Sequence, residues 1–493
     1  MEQIKNTPGI KHTLLKELNS VPDKLRHIHL MGICGTAMAS LAGMLKTKGY
    51  HVTGSDQNVY PPMSLFLEEM KIDIKKGYSG DNLDPVPDLV IVGNVITGQN
   101  PEAVRLAEMK INYLSLPQAL RYFAIEDRKS IVIAGTHGKS TTSAVCSWLL
   151  EQTGFEPGYM VGGILNNFKS SFSLGRGEYF VIEGDEYDTA FFDKGPKFLH
   201  YSPFVSILTS IEFDHADIYR DLEHVISSFR KLIGIIPPEG LLIANSDDPV
   251  VTEEIKKAKC RVKTYGFNED ALWRAVDIRD EKDGTYVKIL RDGKDYISFY
   301  SPLYGRHNIS NILSAVVLSE SIGIPPDKIP AAIGSFRGVK RRQEIRGEEN
   351  DILVLDDFAH HPTAVEKTIE AVKGRYGGRR VVAVFEPRSN SSRRGIFQEK
   401  YGRAFDAADL VFIPEPPMME KVPAGDRFSS RGLVSELKNR GINAFYGETT
   451  DKLLEDLLVN ILPGDVVLIM SNGSFDNIHE RLLEKIKDNP GTK

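Results

Sequence analysis

Short apolar runs recur along the chain, and stretches of mixed polarity long enough for a helix separate them. Runs of four to six apolar residues bounded by glycine or charge read as buried strands, and the stretches between them read as covering helices. Strand and helix alternate in this way three times, which predicts an α/β protein of three domains with mainly parallel sheets. The first segment opens with His27-Ile28-His29-Leu30, turns at Met31-Gly32-Ile33-Cys34-Gly35, and continues as a helix through Met44. Further strands are expected at 52–56 and 89–92, and the charged Glu126-Asp127-Arg128 marks a boundary. The second segment has apolar runs at 131–134, 179–182, 205–208 and 241–244. Asp283-Gly284 and Asp292-Gly293 then flank the β-rich run 285–290. Asp-Gly is a strong hairpin signal, so a small antiparallel sheet is expected at about 273–300. A helix from Asn308 closes the segment, and the basic stretch 337–346 marks the second boundary. The third segment has runs at 352–355, 381–385, 410–413 and 466–470. The expected division is a lead-in over 1–24 and domains over 25–128, 129–338 and 339–493.

Composition narrows the class. Of 493 residues, 41% are hydrophobic and 26% charged, as in a globular chain with real cores. The net charge of −6, from 61 basic and 67 acidic residues, gives no support to a nucleic-acid partner. Cys34, Cys146 and Cys260 lie far apart without a CxxC pair, which argues against a disulfide framework and for a reducing compartment. No run approaches the roughly 18 apolar residues of a membrane span, and residues 1–24 lack a signal-peptide core, so a cytoplasmic location is expected.

The chemistry begins at Gly135-Thr136-His137-Gly138-Lys139-Ser140-Thr141, which follows an apolar run and opens a helix. Loop N–H groups and a helix N-terminus in that context face an anion, and a lysine adds a compact positive charge. Ser140 is placed to hold Mg²⁺ through its hydroxyl. The loop departs from the common GxxxxGK[ST] form at Ile133. Glu183-Gly184-Asp185-Glu186-Tyr187-Asp188 and Glu212-Phe213-Asp214-His215 each follow another strand. Open α/β sheets bind ligands beyond the carboxyl ends of their strands, so these groups suit metal coordination beside a triphosphate.

These motifs, together with Gly305-Arg306-His307-Asn308, Asn311 and Asp356-Asp357-Phe358-Ala359-His360-His361-Pro362, fall in the order seen in the Mur ligases. The chain resembles that family over nearly all of its length after the lead-in. The run 32–38 with Gly54-Ser55-Asp56 resembles the UDP-sugar domain of the alanine-adding member. Three features resemble instead the member that accepts a murein tripeptide: Tyr60-Pro61-Pro62-Met63, Tyr187 with Phe191-Phe192-Asp193, and Glu386-Pro387-Arg388-Ser389-Asn390.

The resemblance implies a Rossmann-like N-terminal domain, a central P-loop ATPase-type domain and a Rossmann-like C-terminal domain that closes over the site. It implies ATP and Mg²⁺ as cofactors. The implied activity is ATP-dependent joining of L-Ala-γ-D-Glu-meso-diaminopimelate to UDP-N-acetylmuramic acid through an acyl phosphate, in peptidoglycan recycling. Lys139, Glu183 and His215 are the implied catalytic residues, with Ser140, Glu183 and His215 on the metal. Residues 135–141 with His307, Asn308, Asn311, Arg342 and Asp356 are the implied ATP contacts. Gly32, Cys34, Gly35, Thr36, Ala37, Met38, Ser55 and Asp56 are implied to bind the UDP-sugar, and Arg388, Ser389 and Asn390 the tripeptide. Some members carry a carbamylated lysine about fifteen residues after the histidine; Arg230 stands there, so no such modification is expected.

Three other readings stay open. An alanine-adding ligase is the same class with a smaller acceptor, and the segment 386–390 is its discriminator. A P-loop switch module would need no sugar domain. A nicotinamide oxidoreductase would use Gly32, Gly35 and Asp56, but Cys34 stands at the middle glycine, and the phosphate loop is left unexplained. A monomer and a dimer fit the sequence equally.

Overall fold

The computed structural model describes residues 14–60, 63–281 and 284–488. Residues 1–13 of the lead-in, Pro61-Pro62 and Asp283 lie outside them. Three sheets form, one per segment, beside a two-stranded hairpin.

The first sheet is parallel, in the order Asp73–Lys76, His51–Asp56, His27–Met31, Leu89–Val92, Asn112–Ser115. The helix Thr36–Thr47 buries Leu41 and Leu45 on one face, and Pro101–Met109 buries Ala103 and Leu106 on the other. Chain leaving the two central strands therefore diverges to opposite faces, which opens a crevice at their carboxyl ends.

The central sheet has ten strands. Its middle runs Leu241–Asn245, Pro203–Leu208, Lys129–Ala134, Tyr179–Gly184, Gly158–Leu165, all parallel. The expected antiparallel strands are Trp273–Glu281, Gly284–Arg291 and Lys294–Ser301. They extend the main sheet, because Trp273 pairs with Tyr265 of Arg261–Gly266. The third sheet runs Glu344–Glu349, Ile352–Asp357, Val466–Met470, Val381–Phe385, Leu410–Pro414, Asn443–Gly447, parallel except at its first strand. Beyond Val381–Phe385, Tyr401 and Phe405 pack on one face; beyond Val466–Met470, Ile478 and Leu482 pack on the other. A second crevice opens between those two strand ends.

Side chains tie the domains together. Thr363 Oγ1 donates to Glu212 Oε2 at 2.7 Å, and Asn390 Nδ2 donates to Asp217 Oδ2 at 2.8 Å. Ser40 and Ser171 hydroxyls meet at 2.9 Å, and Phe192 packs edge-on against Tyr113. No helix among the described residues is long and apolar enough to cross a membrane.

Candidate functional site

The strand Lys129–Ala134 ends in the phosphate-type loop, and the helix Lys139–Gln152 begins at its far end. Two glycines are obligatory here. Gly135 has φ +135°, and a Cβ on it would lie 2.2 Å from Thr209 Oγ1. Gly138 has φ +80°, and its Cβ would lie 2.4 Å from Asn311 Oδ1. Thr136 Oγ1 accepts from the Glu212 N–H at 2.8 Å, and the His137 N–H donates to Ser210 Oγ at 3.0 Å. Ser140 and Thr141 are buried in the first helical turn. Lys139 Nζ crosses the loop mouth, donating to the Gly135 carbonyl at 2.6 Å and to Glu186 Oε2 at 3.0 Å. Burial opposes its charge, but Glu186, Asp185 and Glu183 outweigh that and keep the ammonium protonated above its ordinary range.

Two sets of oxygen and nitrogen donors flank this lysine. In the first, Ser140 Oγ donates to Glu183 Oε2 at 3.1 Å, and the Gly162 N–H donates to the other carboxylate oxygen. Burial pushes the Glu183 carboxyl up, against the pull of that N–H and of Lys139 and Arg342. In the second, Asp185, Glu186 and His215 bring ligand atoms within 4.8 Å of one another. Glu186 lies between Lys139 and His215 Nε2, the latter at 3.4 Å. Burial lowers the His215 pKa, yet Glu186, Asp214 and Asp185 carry it up to about 9. Asp185 sits 2.5 Å from Lys197 Nζ; burial works against its charge, but Lys197, Lys139 and His215 hold the carboxyl well below its usual range. A hydroxyl and clustered carboxylates are the chemistry a hard dication such as Mg²⁺ selects.

His307, Asn308 and Asn311 begin one helix, Arg306–Ser321, but face different ways. Asn311 packs on the phosphate loop at Gly138. Asn308 Nδ2 donates to the Tyr304 carbonyl at 2.8 Å and is spent locally. His307 lies toward the third domain, where burial and then Arg342 and Lys367 lower its pKa to about 4. The folded ring stays neutral while an unfolded one protonates near 6.5, so acid favours unfolding. Stability should fall as pH drops from about 6.5 toward 4. His307→Gln should flatten that part of a melting-temperature profile; an unchanged slope would refute the neutral ring.

Arg342 reaches the loop, with Nη2 3.4 Å from Ser140 Oγ. Asp356 does not. It is turned to Arg341 at 3.4 Å and His479 at 3.3 Å, on the far side of its strand. Asp357 instead faces the Arg342 charge and accepts the Gln343 and Ala359 N–H groups at 2.8 and 2.7 Å. Neighbouring strand residues point to opposite faces, so one position decides which aspartate belongs to the site.

At the third domain's crevice, Ser389 folds its own loop, accepting the Ser392 N–H at 3.0 Å. Asn390 is held between Asp217 and Arg393. Arg393 is buried and donates to the Met418 carbonyl, and Arg394 pairs with Asp426 at 2.9 Å; both brace the loop. Of these three arginines, Arg388 is the one held loosely. Its side chain is 34% exposed, with a loose 3.5 Å contact to Glu386. It lies against Gly473, where a Cβ would come within 2.2 Å of its side chain.

In the first domain, the Cys34 and Asn58 N–H groups both donate to the Asp56 carboxylate at 2.9 Å. Asp56 therefore braces the turn. Ser55 is fully buried and donates to Glu102 Oε2 at 2.6 Å, which removes it from any ligand. Gly32 has φ +79°, and Met38 is buried. Gly35 and Thr36 are exposed, Ala37 is half-buried, and the helix start has no side-chain cap. Those first-turn N–H groups suit an anion.

Residues 27–128 match the Mur ligase family catalytic domain, 133–319 the Mur ligase middle domain, and 341–473 the Mur ligase glutamate ligase domain. The chain belongs to the Mur ligase family. It is 40% identical over 459 residues to the UDP-N-acetylmuramate–L-alanyl-γ-D-glutamyl-meso-2,6-diaminoheptandioate ligase of Escherichia coli, covering 93% of this chain and 97% of that one. It is 31% identical over 472 residues to the UDP-N-acetylmuramate–L-alanine ligase of Clostridium perfringens, covering 96% and 99%. A solved murein peptide ligase from Psychrobacter arcticus superimposes with a TM-score of 0.71 at 33% identity, covering 94% of this chain and 99% of that one.

Several residues of this Mur ligase site escaped the sequence reading. Asp185 and Glu186 stood inside the acidic run, but nothing in the run said which carboxylates converge on Lys139. Asp357 stands next to Asp356, and the motif does not say which of the two faces Arg342. Ser471, whose hydroxyl donates to Glu386 Oε2 at 2.5 Å, and Gly473 gave no signal, because a short polar loop after a strand is common. Arg230 forms a bidentate pair with Glu254 at 2.9 Å through both nitrogens, so its position is occupied by a structural ion pair.

Proposed function

We propose that this Mur ligase uses ATP to join L-Ala-γ-D-Glu-meso-diaminopimelate to UDP-N-acetylmuramic acid, in reuse of cell-wall peptides. The observation that carries the choice of acceptor is Arg388, a half-buried guanidinium at the crevice of the third domain, held only by a 3.5 Å contact to Glu386. Its planar fork suits a peptide carboxylate. The 40% identity to a ligase named for that tripeptide supports the same reading.

The first-turn N–H groups at Thr36 and Ala37 would receive the UDP diphosphate. The lactyl carboxylate is a poor acyl donor and must first take the γ-phosphate of ATP, with ADP as leaving group. Lys139 meets the negative charge gathering there. Ser140 with Glu183, and His215 with Asp185 and Glu186, would hold Mg²⁺, which lowers the repulsion between carboxylate and phosphate. Asn311 lies at the phosphate end of the loop and His307 on the side of the third domain. Arg342 reaches Ser140 from the third domain, with Asp357 behind it, and so ties closure to the phosphate site. The peptide amine then attacks the acyl phosphate, releasing phosphate; closure keeps water away.

Mass spectrometry of products from UDP-N-acetylmuramic acid, ATP and either L-alanine or the tripeptide tests the reading. The tripeptide adduct supports it, and an L-alanine adduct alone would transfer the chain to the alanine-adding activity. Phosphate release without muramic acid would favour a nucleotide switch.

Arg388→Ala should raise the tripeptide KM by roughly ten- to a hundredfold, the cost of about 1.5–3 kcal/mol for one charge-assisted pair. The KM values for ATP and the UDP-sugar should move little. Arg388→Lys should recover only part, since an ammonium lacks the fork. A weaker ATP affinity with an unaltered tripeptide KM would reassign Arg388 to closure.

A further inference from the structure

A second cluster beside the phosphate loop has no named role in the ligation proposed above, although His137 stands in the loop expected to contact ATP. It joins His137 of the loop, Glu212 beyond the strand Pro203–Leu208, and His361 at the start of the third-domain helix Pro362–Arg375. His137 Nε2 lies 3.6 Å from Glu212 Oε2, and His361 Nδ1 lies 3.8 Å from the same oxygen. All three ligand atoms fall within 4.8 Å of one another. Bonds of roughly 2.0–2.1 Å around a tetrahedral dication put ligand atoms roughly 3.3–3.5 Å apart, so two edges of the triangle are already close to that spacing.

The surrounding groups are oriented as metal ligands require. His361 Nε2 lies 3.2 Å from the Phe213 carbonyl, which accepts only from a protonated nitrogen. That contact leaves the lone pair on Nδ1, the atom turned to Glu212. A second ring nitrogen bonded to a carbonyl is the usual support of a ligating histidine. Thr363 Oγ1 donates to Glu212 Oε2 at 2.7 Å and steadies the carboxylate. Thr363 N–H donates to His361 Nδ1 at 3.3 Å as the cap of that helix, a long hydrogen bond that a cation on Nδ1 would displace. His137 Nε2 is a buried atom with no hydrogen-bond partner among the described residues beyond the 3.6 Å approach of Glu212 Oε2. A buried ring nitrogen left without a partner is costly, and a cation in the triangle would satisfy it.

Two imidazoles and one carboxylate select a borderline dication over Mg²⁺. None of the three residues belongs to the Asp185, Glu186, His215 set. We propose that His137, Glu212 and His361 form a binding site for a transition-metal dication of the Zn²⁺ class, bridging the phosphate loop and the third domain. An occupied site holds the third domain closed on the loop. It therefore slows nucleotide exchange, and excess Mg²⁺ does not relieve that inhibition. The site stands or falls independently of which acceptor the ligase uses.

Co²⁺ serves as the probe, added to the full chain in excess Mg²⁺ and followed by visible absorption and equilibrium dialysis. One Co²⁺ with the intense bands of a four-coordinate site is expected, and His215→Ala should retain it. Glu212→Gln and His361→Gln should weaken binding roughly tenfold or more, with circular dichroism like that of the parent. Loss of the bands in His215→Ala with retention in His361→Gln would place the cation in the other cluster and overturn the proposal, as would no binding by the parent. Anomalous diffraction from crystals of the unmodified protein soaked in Zn²⁺ gives a reading that needs no variant. A peak inside the triangle supports the site, and a peak only elsewhere, or none, refutes it.

Discussion

Lys139→Ala is expected to abolish ligation while leaving UDP-N-acetylmuramic acid binding nearly intact. Lys139 Nζ lies at the mouth of the central-domain loop, between the Gly135 carbonyl and the buried Glu186. Removing it takes away the compact charge aimed at the phosphates and also one of the two positive neighbours of Glu186, leaving it His215, with Asp185 and Glu183 close by. Loss of a single preorganised donor to a developing charge costs about 10²–10³ in rate, and the acidic neighbours exposed by this change push the loss to the upper end or beyond. In the proposed reading the sugar nucleotide binds at the first domain's helix start, which shares no residue with the loop. Calorimetric titration of the variant with UDP-N-acetylmuramic acid should therefore resemble that of the parent. Equal loss of sugar binding and turnover would show that the two sites are one.

Glu183→Gln and His215→Ala should each raise the Mg²⁺ requirement and slow acyl-phosphate formation, by roughly 10²-fold or more if either residue supports charge neutralisation as proposed. They sit in different donor sets. Glu183 bonds Ser140 at 3.1 Å, whereas His215 faces Glu186 at 3.4 Å. The Glu183 change keeps the shape and removes one charge. The His215 change removes a cation-like ring from between Asp185 and Glu186, so part of its effect is repulsion between those carboxylates. Direct Mg²⁺ titration by calorimetry separates binding from turnover. An unaltered Mg²⁺ affinity in both variants would remove the two residues from the metal site.

Much of the fold was legible because a strand buried on both faces must be apolar along its length. The runs 89–92, 381–385 and 466–470 coincide with the strands Leu89–Val92, Val381–Phe385 and Val466–Met470 for that reason. Arg261–Gly266 was missed because its first half is exposed or half-buried and reads as polar. Gly158–Leu165 was missed because its paired glycines interrupt the apolar run; a Cβ at Gly163 would meet Val339 at 2.7 Å, so close packing demands the small residue there. The antiparallel strands were expected at the right place but as a sheet of their own. Pairing of Trp273 with Tyr265 joins them to the main one, and nothing local encodes that register.

The sequence by itself determined the three α/β units, the phosphate loop and the family, because each rests on local spacing: an apolar run, then glycine, lysine and a hydroxyl at a helix start. Only the tertiary structure decided which charged groups meet. Glu186 and Asp185 converge on Lys139 from another strand, and Asp357 rather than Asp356 faces Arg342, because strand alternation fixes sides only once register is set. Ser55 and Asp56 lie next to each other, yet one is buried on Glu102 and the other braces the Cys34 turn. His137, Glu212 and His361 come together from three separate loops across two domains. Contacts between residues far apart in sequence depend on how sheets and helices pack, and a motif carries no record of that packing.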